Sequence, residues 1–214
     1  MARTALIAGS SGLVGHFLLQ KLLDSSNYSR VVAVTRRPLT QAHPKLANPL
    51  SDLLQPDALG RQLAADDVYC CLGTTTRSAG GKAGLEQVDY QMVVDLARAA
   101  RSAGGRQFLV VSSVGSSLSS PAFYSRVKAR MERDVATAGY STVHILRPSL
   151  LLGARPESRP AEHLAQRLSP WLTPLCKGML SRYRPVPAED VAKAMLLLAL
   201  RPASGVQVHH YPFI

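Results

Sequence analysis

Thr4-Ala5-Leu6-Ile7-Ala8-Gly9-Ser10-Ser11-Gly12-Leu13-Val14-Gly15 is the stretch on which the reading of this chain turns. Residues 4–8 are a short apolar run that stops at glycine, the pattern of a strand buried on both faces of a parallel sheet. From Leu13 to Leu23 the apolar positions Val14, Phe17, Leu18, Leu19 and Leu22 follow helical spacing, and Asp24-Ser25-Ser26-Asn27 stops the run. Between strand and helix, Gly9, Gly12 and Gly15 give the spacing G-x-x-G-x-x-G, a variant of the dinucleotide fingerprint. Gly9 permits the tight turn, Gly12 lets backbone N–H groups approach a pyrophosphate, and Gly15 lets the helix pack close to the sheet. A glycine pattern alone is weak evidence; one that follows a strand and opens a helix is in the context that gives it meaning.

Outward from this turn, Val31 to Val34 reads as a second apolar strand that runs into Thr35-Arg36-Arg37. About 20 residues beyond the fingerprint an NAD site places Asp or Glu on the ribose 2′-hydroxyl. Here Arg36 and Arg37 stand instead, and guanidinium groups suit a 2′-phosphate through charge-assisted hydrogen bonds, so the cofactor expected is NADP(H).

Prolines at 38, 44, 49 and 56 break the next stretch, apart from a short helix over 57–64. Asp67 to Leu72 reads as a buried strand, followed by a Gly/Ser/Thr-rich loop from Gly73 to Gly84. Val88, Met92, Val93, Leu96 and Ala100 restore helical periodicity up to Gly104-Gly105, and Phe108 to Val111 is a strand that ends in Ser112-Ser113. Ser120 with Pro121 signals a helix start and Gly139 its end, before a strand over Val143 to Leu146. This alternation predicts an α/β fold with a doubly wound parallel sheet. The chain reads as a single domain over 1–214, in which 153–214, with a helix from Ala188 to Leu200 and a strand over 206–208, form a small C-terminal substrate-side cap.

Composition narrows the class. The 214 residues are 46% hydrophobic and 18% charged, ordinary for a folded chain. The net charge of +11 is spread without a Lys/Arg block, so no nucleic-acid partner is expected. No apolar run of about 18 residues exists for a membrane span. Cys70, Cys71 and Cys176 fit neither a disulfide framework nor a metal spacing, and with the lack of a signal segment they lead to a cytoplasmic expectation. The histidines show no metal-ligand spacing, the glycine turn does not fit a nucleophile elbow, and neither a metal nor a hydrolase is assigned.

Tyr124 and Lys128 are four apart on a helix and share one face. A phenol with an ordinary pKa of about 10 is a poor acid or base at neutral pH, and a neighbouring ammonium lowers it. Tyr124 then exchanges a proton with a carbonyl or alcohol oxygen, Lys128 supports it and binds the nicotinamide ribose, and Ser113, in preference to Ser112, steadies the oxygen.

With these residues placed, the chain resembles the short-chain dehydrogenase/reductase superfamily, in the atypical branch typified by the Tat-interactive oxidoreductase. The most specific stretches are Cys70-Cys71-Leu72-Gly73-Thr74-Thr75, Gly81-Lys82-Ala83-Gly84, and Leu146-Arg147-Pro148 through Glu157-Ser158-Arg159-Pro160. The resemblance implies a Rossmann fold. It also implies contacts from Ser11, Gly12, Leu13 and Val14 to the phosphates and from Arg36 and Arg37 to the 2′-phosphate. Leu72 and Gly73 would lie beside the adenosine half, Thr74 would also bind the cofactor, and Leu151 and Arg159 would lie at its far side. Tyr124 and Lys128 match its catalytic pair. Many relatives carry Asn in the helix where this chain has Asp89, and the C-terminal substrate region is short.

The leading expectation is an NADP(H)-dependent oxidoreductase of a small carbonyl or alcohol. The alternative is an NADP(H)-binding regulatory protein whose cofactor orders a surface for a protein partner. A sugar-nucleotide epimerase is disfavoured by the small cap, and the oligomeric state is left open.

Overall fold

The computed structural model describes residues 2–153 and 182–213. Strand β1 (Arg3–Ala8) leads through the glycine turn into helix α1 (Leu13–Asp24) and back to β2 (Tyr28–Val34). After β3 (Leu46–Ala47) and a 3₁₀ stretch (Pro56–Leu63) come β4 (Asp67–Cys70), helix α2 (Lys82–Glu86), a π-helical segment (Gln87–Gln91) and α3 (Met92–Ser102). Then follow β5 (Gln107–Val111), α4 (Phe123–Ala136), β6 (Thr142–Arg147), β7 (Leu151–Leu152), β8 (Val186–Pro187), helix α5 (Ala188–Leu200) and β9 (Gly205–His210).

The main sheet has seven strands in the order β3-β2-β1-β4-β5-β6-β9, and every pairing is parallel. Strand β1 shows why. Ala5 and Ile7 pack with Leu18 and Leu22 of α1 and Val191 and Met195 of α5, whereas Leu6 and Ala8 pack with Val93 and Leu96 of α3 and Met131 and Val135 of α4. Successive side chains of a strand face opposite sides, so only a continuously apolar run serves a sheet covered by helices on both faces. Each fully buried Leu, Ile or Val contributes about 1.5–3 kcal/mol. The strand order reverses between β1 and β4, and a crevice opens there beyond the strands' C-terminal ends.

Several elements depart from the sequence reading. Helix α4 starts at Phe123 rather than at Pro121. Arg126 holds the Ser120 and Pro121 carbonyls at 2.8 Å, and the Ser120 hydroxyl accepts the Ala122 N–H at 3.2 Å, so this stretch is a turn before the helix. The helix expected over 57–64 is a 3₁₀ stretch interrupted at Gly60, whose φ is +48°. The cap expected over 153–214 is corrected in its second half: α5 packs against α1 in the main core, and β9 extends the main sheet beside β6. Residues 154–181 of that cap lie outside the described residues.

Candidate functional site

A cleft of about 780 Å³ lies at the switch between β1 and β4. Its floor is the glycine turn and the first turn of α1, with Gly9, Ser11, Gly12, Leu13 and Val14 in the lining. Gly9 has a φ of +81°, and a Cβ there would stand 2.6 Å from the Cys71 carbonyl carbon. At Gly15, which lies beneath the lining, a Cβ would collide with the Gly9 carbonyl oxygen. The turn is closed by the Gly12 N–H on the Gly9 carbonyl at 3.0 Å, and no side chain caps α1. Uncapped N–H groups at a helix N-terminus, with its positive dipole end, fit the diphosphate of a dinucleotide.

On the β2 side, Thr35, Arg36, Ser51, Asp52 and Leu53 line the cleft. Arg37 lies outside the lining. The segment containing Ser51 to Leu53 was passed over in the sequence because prolines break its periodicity, leaving no pattern to read. Leu72, Gly73 and Thr74 follow β4 along the wall, and Leu151 lines the cleft from β7. Cys71 also lines it, its thiol turned to Met195 Sδ at 3.9 Å. Burial pushes the Cys70 thiol up to about 11 and holds the Cys71 thiol well above its ordinary value, so both stay protonated. Arg159 is outside the described residues.

On the β5 side the cleft receives Ser112, Tyr124 and Lys128. Tyr124 is 37% exposed, whereas Lys128 is buried beneath it, its Nζ 6.0 Å from the Tyr124 ring centre. Lys128 donates to the Val111 carbonyl at 3.2 Å and pairs with Asp89 Oδ1 at 2.9 Å. Burial acts against its charge, but Tyr124 and Asp89 together hold its pKa above the ordinary lysine range. The two serines differ from the expectation. Ser113 is outside the lining and its hydroxyl turns to the Val114 carbonyl at 3.3 Å, while Ser112 lines the cleft. The Ser112 hydroxyl donates to Glu132, whose carboxylate is gripped by Arg147 at 3.0 and 2.5 Å. Glu132 was not read as a site residue, since an acid in a helical stretch is solvated by default, and Asp89 was noted only as standing where many relatives carry Asn.

Comparison with known proteins agrees with this fold. The model of the NAD dependent epimerase/dehydratase family matches residues 5–212. Protein HTATIP2 of Rattus norvegicus is 34% identical over 207 residues, which cover 95% of this chain and 84% of that protein. Protein fmp52-1, mitochondrial, of Aspergillus terreus is 33% identical over 213 residues, covering 96% and 90%. Among solved structures, MoeE5 in complex with UDP-glucuronic acid and NAD has a TM-score of 0.71 at 22% identity, over 96% of this chain and 75% of that one. The cytoplasmic expectation is overturned by the fungal relatives, which are named mitochondrial. The cysteine pattern behind that expectation does not single out one compartment. No helix among the described residues is long and apolar enough to cross a membrane. With a family match over nearly its whole length and a glycine turn poised for a diphosphate, the chain belongs to the NAD dependent epimerase/dehydratase family.

Proposed function

We propose that this protein is an NADP(H)-dependent oxidoreductase acting on a small carbonyl or alcohol. The observation that carries the reading is one cleft lined by the glycine turn and Arg36 on one side of the strand-order switch and by Tyr124 and Lys128 on the other. The dinucleotide, when bound, supplies or accepts a hydride at its nicotinamide ring. Tyr124 gives its phenolic proton to the oxygen of a carbonyl being reduced, or takes the proton of an alcohol being oxidised. Lys128 keeps a positive charge under the phenol and stabilises the phenolate left behind. Of the two serines, Ser112 is the one that lines the cleft, and its hydroxyl donates to Glu132.

One observation favours a second reading, an NADP(H)-gated binding protein with little catalysis: Ser112 and Lys128 are each tied to a buried carboxylate. Stopped-flow hydride transfer from NADPH to a panel of aldehydes and ketones separates the two. On the oxidoreductase reading, Tyr124→Phe slows transfer by roughly 10²–10⁴-fold with NADPH affinity retained. Tight NADPH binding with no carbonyl reduced by the parent protein overturns that reading in favour of the second.

A further inference from the structure

Arg36 enters the cleft lining from the point where β2 ends, and the backbone there is held by a side chain that does not itself line the cleft. Asn48, directly after β3, donates from its Nδ2 to the Ala33 carbonyl at 2.6 Å and to the Thr35 hydroxyl at 2.8 Å. Its Oδ1 accepts the Leu39 N–H at 2.9 Å. The Thr35 hydroxyl in turn donates to the Arg37 carbonyl at 2.7 Å. The partners force these roles. The Leu39 N–H only donates and the Ala33 carbonyl only accepts, which gives the carboxamide one orientation, and the Thr35 hydroxyl, with its single proton on Arg37, accepts from Asn48. One carboxamide thus joins residues 33, 35 and 39, on both sides of the arginine pair.

The backbone of Thr35 is held as well. Its N–H donates to the Pro49 carbonyl at 3.3 Å and its carbonyl accepts the Ser51 N–H at 2.9 Å, on either side of a parallel bridge to Leu50. Arg36 therefore stands between two anchored points, Thr35 before it and the Arg37 carbonyl after it. An exposed arginine loses much rotamer freedom when it closes on a phosphate, and a fixed backbone beneath it leaves less to be ordered at that moment. A ribose with a free 2′-hydroxyl offers no charge to the guanidinium and makes no such demand.

We propose that Asn48 is a positioning residue for cofactor choice: through Thr35 it fixes the turn that puts Arg36 into the cleft lining and Arg37 outside it, and so strengthens the preference for a 2′-phosphate over a 2′-hydroxyl. The proposal rests on the NADP(H) reading and extends it to a residue that does not reach the cofactor.

The test is the ratio of NADPH to NADH affinity, read by fluorescence titration of the full chain with folding followed by circular dichroism. Asn48→Ala is expected to weaken NADPH binding by roughly five- to tenfold and NADH binding by less than about twofold. In an Arg36→Ala background the same substitution is expected to change neither, because it acts through that guanidinium. Equal losses for both cofactors overturn the proposal, since they mark a general loosening of the fold. An unchanged ratio overturns it too, as does an NADPH loss that persists in full without Arg36. If Asn48→Ala does not fold, Thr35→Val, which removes the hydroxyl linking Asn48 to Arg37, is read in its place with the same expected and overturning results. A parent protein that binds NADPH no more tightly than NADH sinks the NADP(H) reading and the proposal with it, whereas a parent that prefers NADPH and keeps its ratio in Asn48→Ala sinks the proposal alone.

Discussion

Arg36 and Arg37 are both exposed at the end of β2, but Arg36 alone of the two lines the cleft. Adjacent residues leaving a strand point to opposite sides, so a 2′-phosphate in the cleft meets Arg36 first. Arg36→Ala is therefore expected to weaken NADPH binding by roughly 10- to 100-fold, the loss of one or two charge-assisted hydrogen bonds, and to change NADH binding far less. Fluorescence titration with the two cofactors measures this, and equal losses for both would refute a 2′-phosphate pocket at this position. The pair of arginines was legible because they stand a fixed distance beyond the glycines. Which of them lines the cleft was not, because that depends on how the chain leaves the strand. The same limit applies to Ser112 and Ser113: the sequence marks the end of β5, and one residue of register there decides which hydroxyl enters the cleft.

At the scale of elements, β1, α1 and β4 were legible because a strand of period two and a helix of period 3.6 leave unmistakable apolar patterns. The C-terminal helix and strand were read where they stand, but their assignment to a cap was wrong for a physical reason. Helix α5 is apolar enough to join the core beside α1, whereas β9 is an exposed edge strand whose place is fixed by backbone pairing to β6, and pairing leaves no mark in hydropathy. That pairing also creates a pH dependence. His144 of β6 meets His209 of β9 at 3.0 Å, and its Nε2 has no hydrogen-bond partner among the described residues. Burial first, then the His209 charge, holds His144 at about 4, below the ordinary 6.5. A histidine depressed in the fold stabilises it fully above the unfolded value, and this contribution is lost as the pH falls from about 6.5 to 4. The expected loss is roughly 3 kcal/mol, and His209, lowered in the same direction, adds to it. Denaturant unfolding at pH 7.5 and 4.5 measures the fall. His144→Gln should flatten it, and a variant with the same pH slope as the parent would locate the effect elsewhere.

Across the whole molecule the two ends of the sheet do different work. The C-terminal ends of β1, β4 and β5 open into the cleft, while their N-terminal ends close over a buried polar cluster centred on Asp67. Asp67, fully buried, accepts from the Tyr28 hydroxyl and the Gln107 amide, each at 2.6 Å, and from the Arg3 guanidinium. Arg3 and Gln107 also reach the Ala199 carbonyl at 2.8 Å, so the cluster joins four strands to the end of α5. Removing its centre takes one acceptor from each of a phenol, an amide and a guanidinium, which keep their contacts to Tyr69 and the Ala199 carbonyl, and a loss of this kind costs roughly 1–3 kcal/mol. Asp67→Ala should therefore lower the denaturant midpoint substantially, and Tyr28→Phe, which removes only one donor, should cost about 1 kcal/mol. Because the cluster sits at the opposite end of the strands from the glycine turn, NADPH affinity in the folded variant should stay within about twofold of the parent, as independent distant sites behave. Equilibrium unfolding and cofactor titration on the same samples test both halves. A large loss of affinity in folded Asp67→Ala would show that the two ends are coupled through the sheet, and that the cleft owes its shape to the far side of the core.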